Sequence, residues 1–315
     1  MKTAGKIMAF VLGLCLLYGC GKTEPNTASS SQSPSSAASA VTFTDDLGVQ
    51  VTVDHPKKTA VLSASYADAW QLAGGTVAAY TDDAKGTITI KDDMLNLGKL
   101  NTPNVESMIA DKIDFVVLSG AISEHVKLRS TLESAGIKTA YFKVETFEDY
   151  AKMMKTLTDI TGRADLYKKN VSDLQAEIQK QTARADGSHP TVLFLRAYST
   201  GVKAKGSDSM TGKMLKDLGC VNIADQKGSL LDNLSMEAIV AADPDFIFVT
   251  TMGESQKAAL GMVDQLLTSN PAWSGLTAVK EKHYYVLPKE LFHLKPNKRW
   301  GESYQILADD LYGKK

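Results

Sequence analysis

Asn104-Val-Glu-Ser-Met-Ile-Ala-Asp-Lys-Ile-Asp-Phe-Val-Val-Leu118 and Ser235-Met-Glu-Ala-Ile-Val-Ala-Ala-Asp-Pro-Asp-Phe-Ile-Phe-Val249 lie 131 positions apart and repeat one design. Four of the fifteen aligned positions are identical (Glu106 with Glu237, Ala110 with Ala241, Asp114 with Asp245, Phe115 with Phe246), and six more pair apolar with apolar. At the same offset Val61-Leu62 falls on Val192-Leu193, each opening an apolar run. Two segments in one register imply two similar lobes. Each copy reads as helix, turn and strand. Asn104 and Ser235 are N-cap types, each followed two positions later by a Glu that complements the helix dipole. The Asp-Phe-apolar runs lack alternation, as strands buried on both faces do, which places them in parallel sheets covered by helices.

Outward from the repeat the same alternation continues. Strands are predicted at Thr59 to Leu62, Val77 to Tyr80, Phe115 to Leu118 and Lys138 to Phe142 in the first lobe. In the second they fall at Thr191 to Leu195, Phe246 to Val249 and Tyr284 to Leu287. Helices between them are predicted at residues 67–72, 105–110, 126–134, 210–218, 236–242, 262–267 and 298–311, and an exposed hairpin turns at Leu47-Gly48 before the first lobe. A core-facing helix around Tyr150 to Ile160 ends at Gly162, and a long one from Ala164 to Arg184 has no Gly or Pro. The latter is expected to be a rigid connector along both lobes, or else an ordinary surface helix of one. The fold class is therefore α/β: two similar lobes, each a mainly parallel sheet flanked by helices, joined by a long rigid helix.

The N-terminus has Lys2 and Lys6, then an apolar stretch from Ile7 to Tyr18, too short to span a bilayer. Leu17-Tyr18-Gly19-Cys20 resembles the lipobox of bacterial lipoproteins, which implies a lipidated Cys20. Gly21 to Ala40 is nearly all Ser, Ala, Thr, Pro and Asn and reads as a flexible tether. The expected organisation is a signal over residues 1–19, lipidated Cys and tether over 20–41, an N-terminal lobe over 42–162, an interlobe helix over 163–186 and a C-terminal lobe over 187–315. Beyond the tether Cys220 stands alone, so no intrachain disulfide is available. The processed chain has 33 basic and 36 acidic side chains, a balance that gives no nucleic-acid footprint.

Pro103-Asn-Val-Glu106, Ser235-Met-Glu237 with Ala241-Ala-Asp-Pro-Asp245, Asn270-Pro-Ala-Trp273, and Lys295-Pro-Asn-Lys-Arg-Trp300 together resemble the substrate-binding lipoproteins that deliver ferric siderophores, haem or cobalamin to ABC importers. The resemblance covers residues 41–315. It implies an extracytoplasmic, lipid-anchored, monomeric capture protein, not an enzyme and without a cofactor of its own, whose partners are a metal chelate and a permease dimer with its ATPase. It also implies that Glu106 and Glu237 dock on arginines of that permease, in keeping with two equivalent lobes seating on a two-fold partner.

In α/β lobes ligands bind beyond the carboxyl ends of the strands. The loops there contain Tyr66 and Trp70, Ser119 to His125, Arg196 to Ser199 running on to Lys203 and Lys205, Thr250 to Met252, and Phe292 to Lys295. Aromatic faces and fixed cations suit a large anionic chelate. Tyr66, Arg196, Tyr198 and His293 are the ligand-binding candidates. Trp70 lies inside a predicted helix and is assigned to the core; Lys203 and Lys205 are assigned to a flexible loop. A receptor for bare Zn or Mn ions is the alternative, but its site needs converging His and carboxylates, and His55, His125, His189, His283 and His293 are scattered. A surface-anchored enzyme is a further alternative; the chain lacks Gly-x-Ser-x-Gly and His-Glu-x-x-His, and Gly206 to Gly212 reads as a helix start capped by Ser209.

Overall fold

Asp114 and Asp245 show why the repeated segment recurs. The Asp114 carboxylate accepts the backbone amides of Lys57 and Lys58 at 2.8 and 3.0 Å, and Asp245 accepts the amide and hydroxyl of Thr191, both at 2.7 Å. Each aspartate thus pins the start of the neighbouring strand to its own. The helix ahead of each is capped alike: Asn104 accepts from the Ser107 amide and Ser235 from the Ala238 amide. Each helix also stops on a left-handed residue, Lys112 at φ 57° and Asp243 at φ 39°.

The computed structural model describes residues 40–314 apart from positions 227, 233 and 254. The expected signal, Cys20 and nearly all of the tether lie outside the described residues.

A hairpin of β1 (Val41–Thr44) and β2 (Gln50–Val53) comes first, as its alternation predicts. The first lobe then runs β3 (Thr59–Val61), α1 (Ala64–Leu72), β4 (Val77–Tyr80), β5 (Leu95–Asn96), α2 (Val105–Ala110), β6 (Phe115–Ser119), α3 (Ser123–Lys127), α4 (Arg129–Ser134) and β7 (Lys138–Phe142). Its strands are parallel in the order β5-β4-β3-β6-β7. The helix predicted over 126–134 is two, divided at Leu128.

Next comes α5 (Phe147–Thr161), opened by a Thr146–Asp149 capping box and closed by Gly162 at φ 69°. The connector is helical throughout: α6 (Ala164–Tyr167) passes through a π turn at Lys168–Ser172 into α7 (Asp173–Thr182), with right-handed helical backbone at both junctions. The long helix expected over 164–184 thus runs over 164–182 with a π turn inside it, a local widening that needs neither Gly nor Pro. Asn170 in that turn donates to the Leu72 carbonyl at 2.9 Å, tying the connector to α1.

The second lobe runs β8 (Thr191–Tyr198), β9 (Gly201–Ala204), α8 (Met210–Asp217), β10 (Val221–Asn222), α9 (Ile223–Gln226), α10 (Ser229–Asp232), α11 (Met236–Ala242), β11 (Phe246–Thr251), α12 (Gln256–Val263), α13 (Thr277–Lys280), β12 (Tyr284–Val286), α14 (Lys289–Phe292) and α15 (Trp300–Tyr312). The parallel order β10-β8-β11-β12 repeats β4-β3-β6-β7 of the first lobe. Thr59 is level with Phe115 and Val192 with Phe246, so the opening strands are 133 positions apart rather than 131. A shift of two keeps every side chain on its face. Lys203 lies on β9, antiparallel to β8 and opposite Arg196, instead of in a loop, and Lys205 follows directly. Ser209 donates its hydroxyl to the Gly206 carbonyl and does not cap α8. The helix predicted at 262–267 begins at Gln256 and ends in a second π turn, Asp264–Thr268.

Each sheet buries both faces. Leu193, Leu195, Ile247 and Val249 face one cluster of the second lobe, and Val116 and Leu118 one of the first. The opposite faces, with Phe115, Val117, Val192, Phe194, Phe246 and Phe248, share a single cluster with Tyr150, Leu174, Trp300 and Tyr304 of α5, α7 and α15. Trp70 is in that shared cluster, as its helical position predicts.

Candidate functional site

The inward rows of both sheets stay apolar until the strands end, and there they turn polar. Along β8, Val192 and Phe194 enter the shared core and Arg196 and Tyr198 continue the row. Along β11, Phe246 and Phe248 are followed by Thr250; along β6, Phe115 and Val117 are followed by Ser119. The strand period of two aims these polar residues where the apolar ones point. They lie at the carboxyl ends of parallel strands, the edge at which α/β sheets take ligands.

After β12 the chain turns through α14 and adds His293 and Lys295 to this edge. Lys295 Nζ stands 3.3 Å from Glu145 Oε1, just past β7, so an ion pair crosses from one lobe to the other. Burial lowers the Lys295 pKa, Glu145 opposes the fall, and Arg196 adds to it. His293 Nδ1 is buried with no partner among the described residues. Burial first, then the charges of Arg196, Lys289 and Lys295, bring the His293 pKa down to about 4. At neutral pH the imidazole is therefore uncharged and offers a lone pair or an N–H. Arg196 Nε and the Thr250 and Thr251 hydroxyls likewise have no protein partner among the described residues. Arg196 and Thr250 are cross-strand neighbours.

The arrangement gathers three cations, Arg196, Lys289 and Lys295, around the neutral His293, with the carboxylates of Glu145 and Asp149 acting on Lys295 from the other lobe. That is chemistry for holding an anion with several oxygens. Cys220, the only thiol among the described residues, is buried and its pKa is pushed up to about 12, so it is no nucleophile. Among the described residues no group of three or more His, Cys, Asp or Glu is placed to hold a metal ion. His125 is fully buried; its Nε2 donates to the Leu100 carbonyl at 2.8 Å while Nδ1 accepts the Ser119 amide at 3.2 Å, a structural role.

Of the ligand candidates, the structure brings Arg196 and His293 together with Lys295. Tyr198, next on Arg196's row, borders a separate cavity of about 630 Å³ whose other walls include Leu230, Leu234 and Leu267. Tyr66 is 4 % exposed, meets Phe142 edge to face, and donates its hydroxyl to the Phe142 carbonyl at 2.8 Å, which gives it a packing role. Burial raises its pKa well above the usual value, aided by the charges of Glu145 and Asp46. Glu145 is not among the residues that the sequence singles out, although the loop after β7 lies at the same carboxyl edge as those of β3, β6, β8 and β11. Glu106 and Glu237 are both exposed, one on α2 and one on α11, and neither is in an ion pair among the described residues.

The sequence profile of the family described as periplasmic binding protein matches residues 60–291. A putative ABC transporter substrate-binding lipoprotein of Bacillus subtilis is 22% identical over 284 residues, covering 85% of this chain and 87% of its own. The iron-uptake system-binding protein of the same organism is 25% identical over 202 residues, 62% of each chain. The molybdate-binding protein of Haemophilus influenzae is 25% identical over 292 residues, 82% of this chain and 79% of its own. Among solved structures, a haem-complexed protein of Staphylococcus aureus superposes with a TM-score of 0.68 at 20% identity, covering 81% of this chain and 98% of that one. A catecholate-siderophore binding protein of Vibrio cholerae gives 0.68 at 18%, covering 87% and 99%. These likenesses show the shared two-lobe α/β fold.

Proposed function

The chain belongs to the periplasmic binding protein family, a family of non-enzymatic substrate-binding proteins, and from that premise we propose that it captures an anionic iron-type chelate between its lobes and hands it to an ABC permease. A ferric siderophore is the preferred ligand, with haem and cobalamin the other members of the class. The observation that carries the reading is the cluster of cations at one side of the cleft: Arg196, Lys289 and Lys295 gather around His293, and on the other side Glu145 and Asp149 act on Lys295. Chelates presenting carboxylate, hydroxamate or catecholate oxygens answer such a surface. The iron-uptake relative supports this choice.

Delivery requires a membrane partner. Glu106 and Glu237, repeated at one offset and both exposed, are proposed to meet basic residues on the two halves of the permease dimer. A lipid on Cys20 and the tether that follows would hold a monomer beside that partner. The likeness to a lipoprotein supports this, and among the described residues no helix is long and apolar enough to cross a membrane.

A second reading, capture of a compact oxyanion, is favoured by the same cations and by the molybdate-binding relative. Tryptophan-fluorescence titration tests both. Saturable sub-micromolar quenching by ferric hydroxamates, ferric catecholates, haem or cobalamin supports the chelate; response to molybdate alone selects the oxyanion; response to free zinc or manganese alone overturns both.

A further inference from the structure

Glu106 and Glu237 are not the only exposed pair that the repeat creates. Ile109 and Val240 occupy equivalent positions, one helical turn after each glutamate, and are 46% and 42% exposed. A single exposed aliphatic residue is ordinary. Here two recur at the same repeat offset, each beside an exposed carboxylate. Residues at i and i+3 of a helix are neighbours, with Cβ atoms about 5–6 Å apart, so each lobe presents an acid and an aliphatic knob as one patch.

Both patches are held firmly. Behind Ile109, Met108 is fully buried in the core of the first lobe, and behind Val240, Ile239 is fully buried in that of the second. The helices share the capping at Asn104 and Ser235 and the left-handed stop at Lys112 and Asp243. The sequence thus maintains the same surface twice. Nothing in the core requires it, because both knobs point away from the residues that pack.

We infer that Ile109 and Val240 are the apolar half of the docking surface, each seating in an apolar socket beside a basic residue on one half of the two-fold permease. The inference rests on the importer reading above and extends it from two charges to two mixed patches. Charge and apolar contact then divide the work. Glu106 and Glu237 steer the encounter, which makes association fast and salt-dependent, whereas burial of Ile109 and Val240 slows departure. An interface centre that excludes water is also where apolar side chains contribute most.

The test measures binding of the intact lipoprotein to the cognate permease dimer with its ATPase in lipid nanodiscs, with permease-free nanodiscs as the blank. Ile109→Ser with Val240→Ser is expected to speed dissociation about tenfold or more, with the salt dependence of association unchanged. Glu106→Gln with Glu237→Gln is expected to slow association and flatten its salt dependence. Leu266→Ser, at a residue 45% exposed whose repeat counterpart is Ala135, is the control and should change neither rate. Dissociation within twofold of wild type in the double serine variant, with wild type docking, overturns the inference and leaves the importer reading intact. Equal loss from permease-free nanodiscs assigns the knobs to lipid and also overturns it. Failure of the wild type to dock overturns both.

Discussion

Lys295 Nζ and Glu145 Oε1, on opposite lobes, stand 3.3 Å apart, with the lysine side chain 20% exposed and the glutamate 50%. An anionic ligand entering the cleft competes with this glutamate for this lysine. Glu145→Gln is expected to raise affinity for the chelate about three- to tenfold and to steepen its salt dependence, while Lys295→Gln lowers affinity about tenfold or more. Fluorescence titration at two ionic strengths checks both; unchanged affinity in both variants would remove the pair from the ligand site.

His293 gives the cleft a pH signature. Its folded pKa, about 4, lies below the ordinary 6.5 because of burial and the neighbouring cations. As pH falls through that interval the unfolded chain takes the proton first, so this contribution to stability is complete above about pH 6.5 and is lost on the way down to 4. The slope is at most about 1.4 kcal/mol per pH unit, less for a part-exposed ring. Denaturant titrations from pH 7 to 4 should show a shallower loss in His293→Asn than in wild type. Parallel curves would mean that the imidazole is not held neutral.

Gly301 lies where α15 meets α7. A Cβ there would stand 2.2 Å from Oε2 and 2.9 Å from Cβ of Glu177. The carboxylate can swing away, but the Glu177 Cβ cannot move without its helix. Gly301→Ala is therefore expected to lose about 1–3 kcal/mol, although alanine favours helix. Thermal melting of Gly301→Ala and of Gly301→Ala with Glu177→Gly would show the second change restoring what the first removes.

Tyr66→Phe separates support from contact. Losing the hydroxyl that binds the Phe142 carbonyl is expected to lower stability by about 1 kcal/mol, with ligand affinity held within about twofold of wild type. A large affinity loss at unchanged stability would return Tyr66 to the ligand-contacting residues.

Much of this architecture is legible before folding. Apolar runs beginning Asp114-Phe115 and Asp245-Phe246 announce buried parallel strands, and Asn104 and Ser235 announce helix starts that the structure realises with the same i+3 bond. The π turns at Lys168–Ser172 and Asp264–Thr268 are not legible, because a wider turn needs no special residue. The early start of α12 is hidden because Gln256-Lys-Ala-Ala-Leu-Gly261 gives little apolar periodicity. At the site, Arg196 and His293 are reachable from the rule about strand ends. The pairing of Lys295 with Glu145 spans 150 positions and depends on how the lobes meet, which no local pattern encodes.

The cluster shared by the inner faces of both sheets makes the lobes interdependent. Phe194 and Phe248 of one sheet and Phe115 and Val117 of the other lean on the same α5, α7 and α15 side chains. Neither half can shield its own inner face when severed from the other. The folded body is thus expected to melt in one calorimetric transition, with a van't Hoff enthalpy that matches the measured heat. A nick between the lobes would leave the fragments associated, because separating them would wet the inner faces that both sheets bury in the shared cluster.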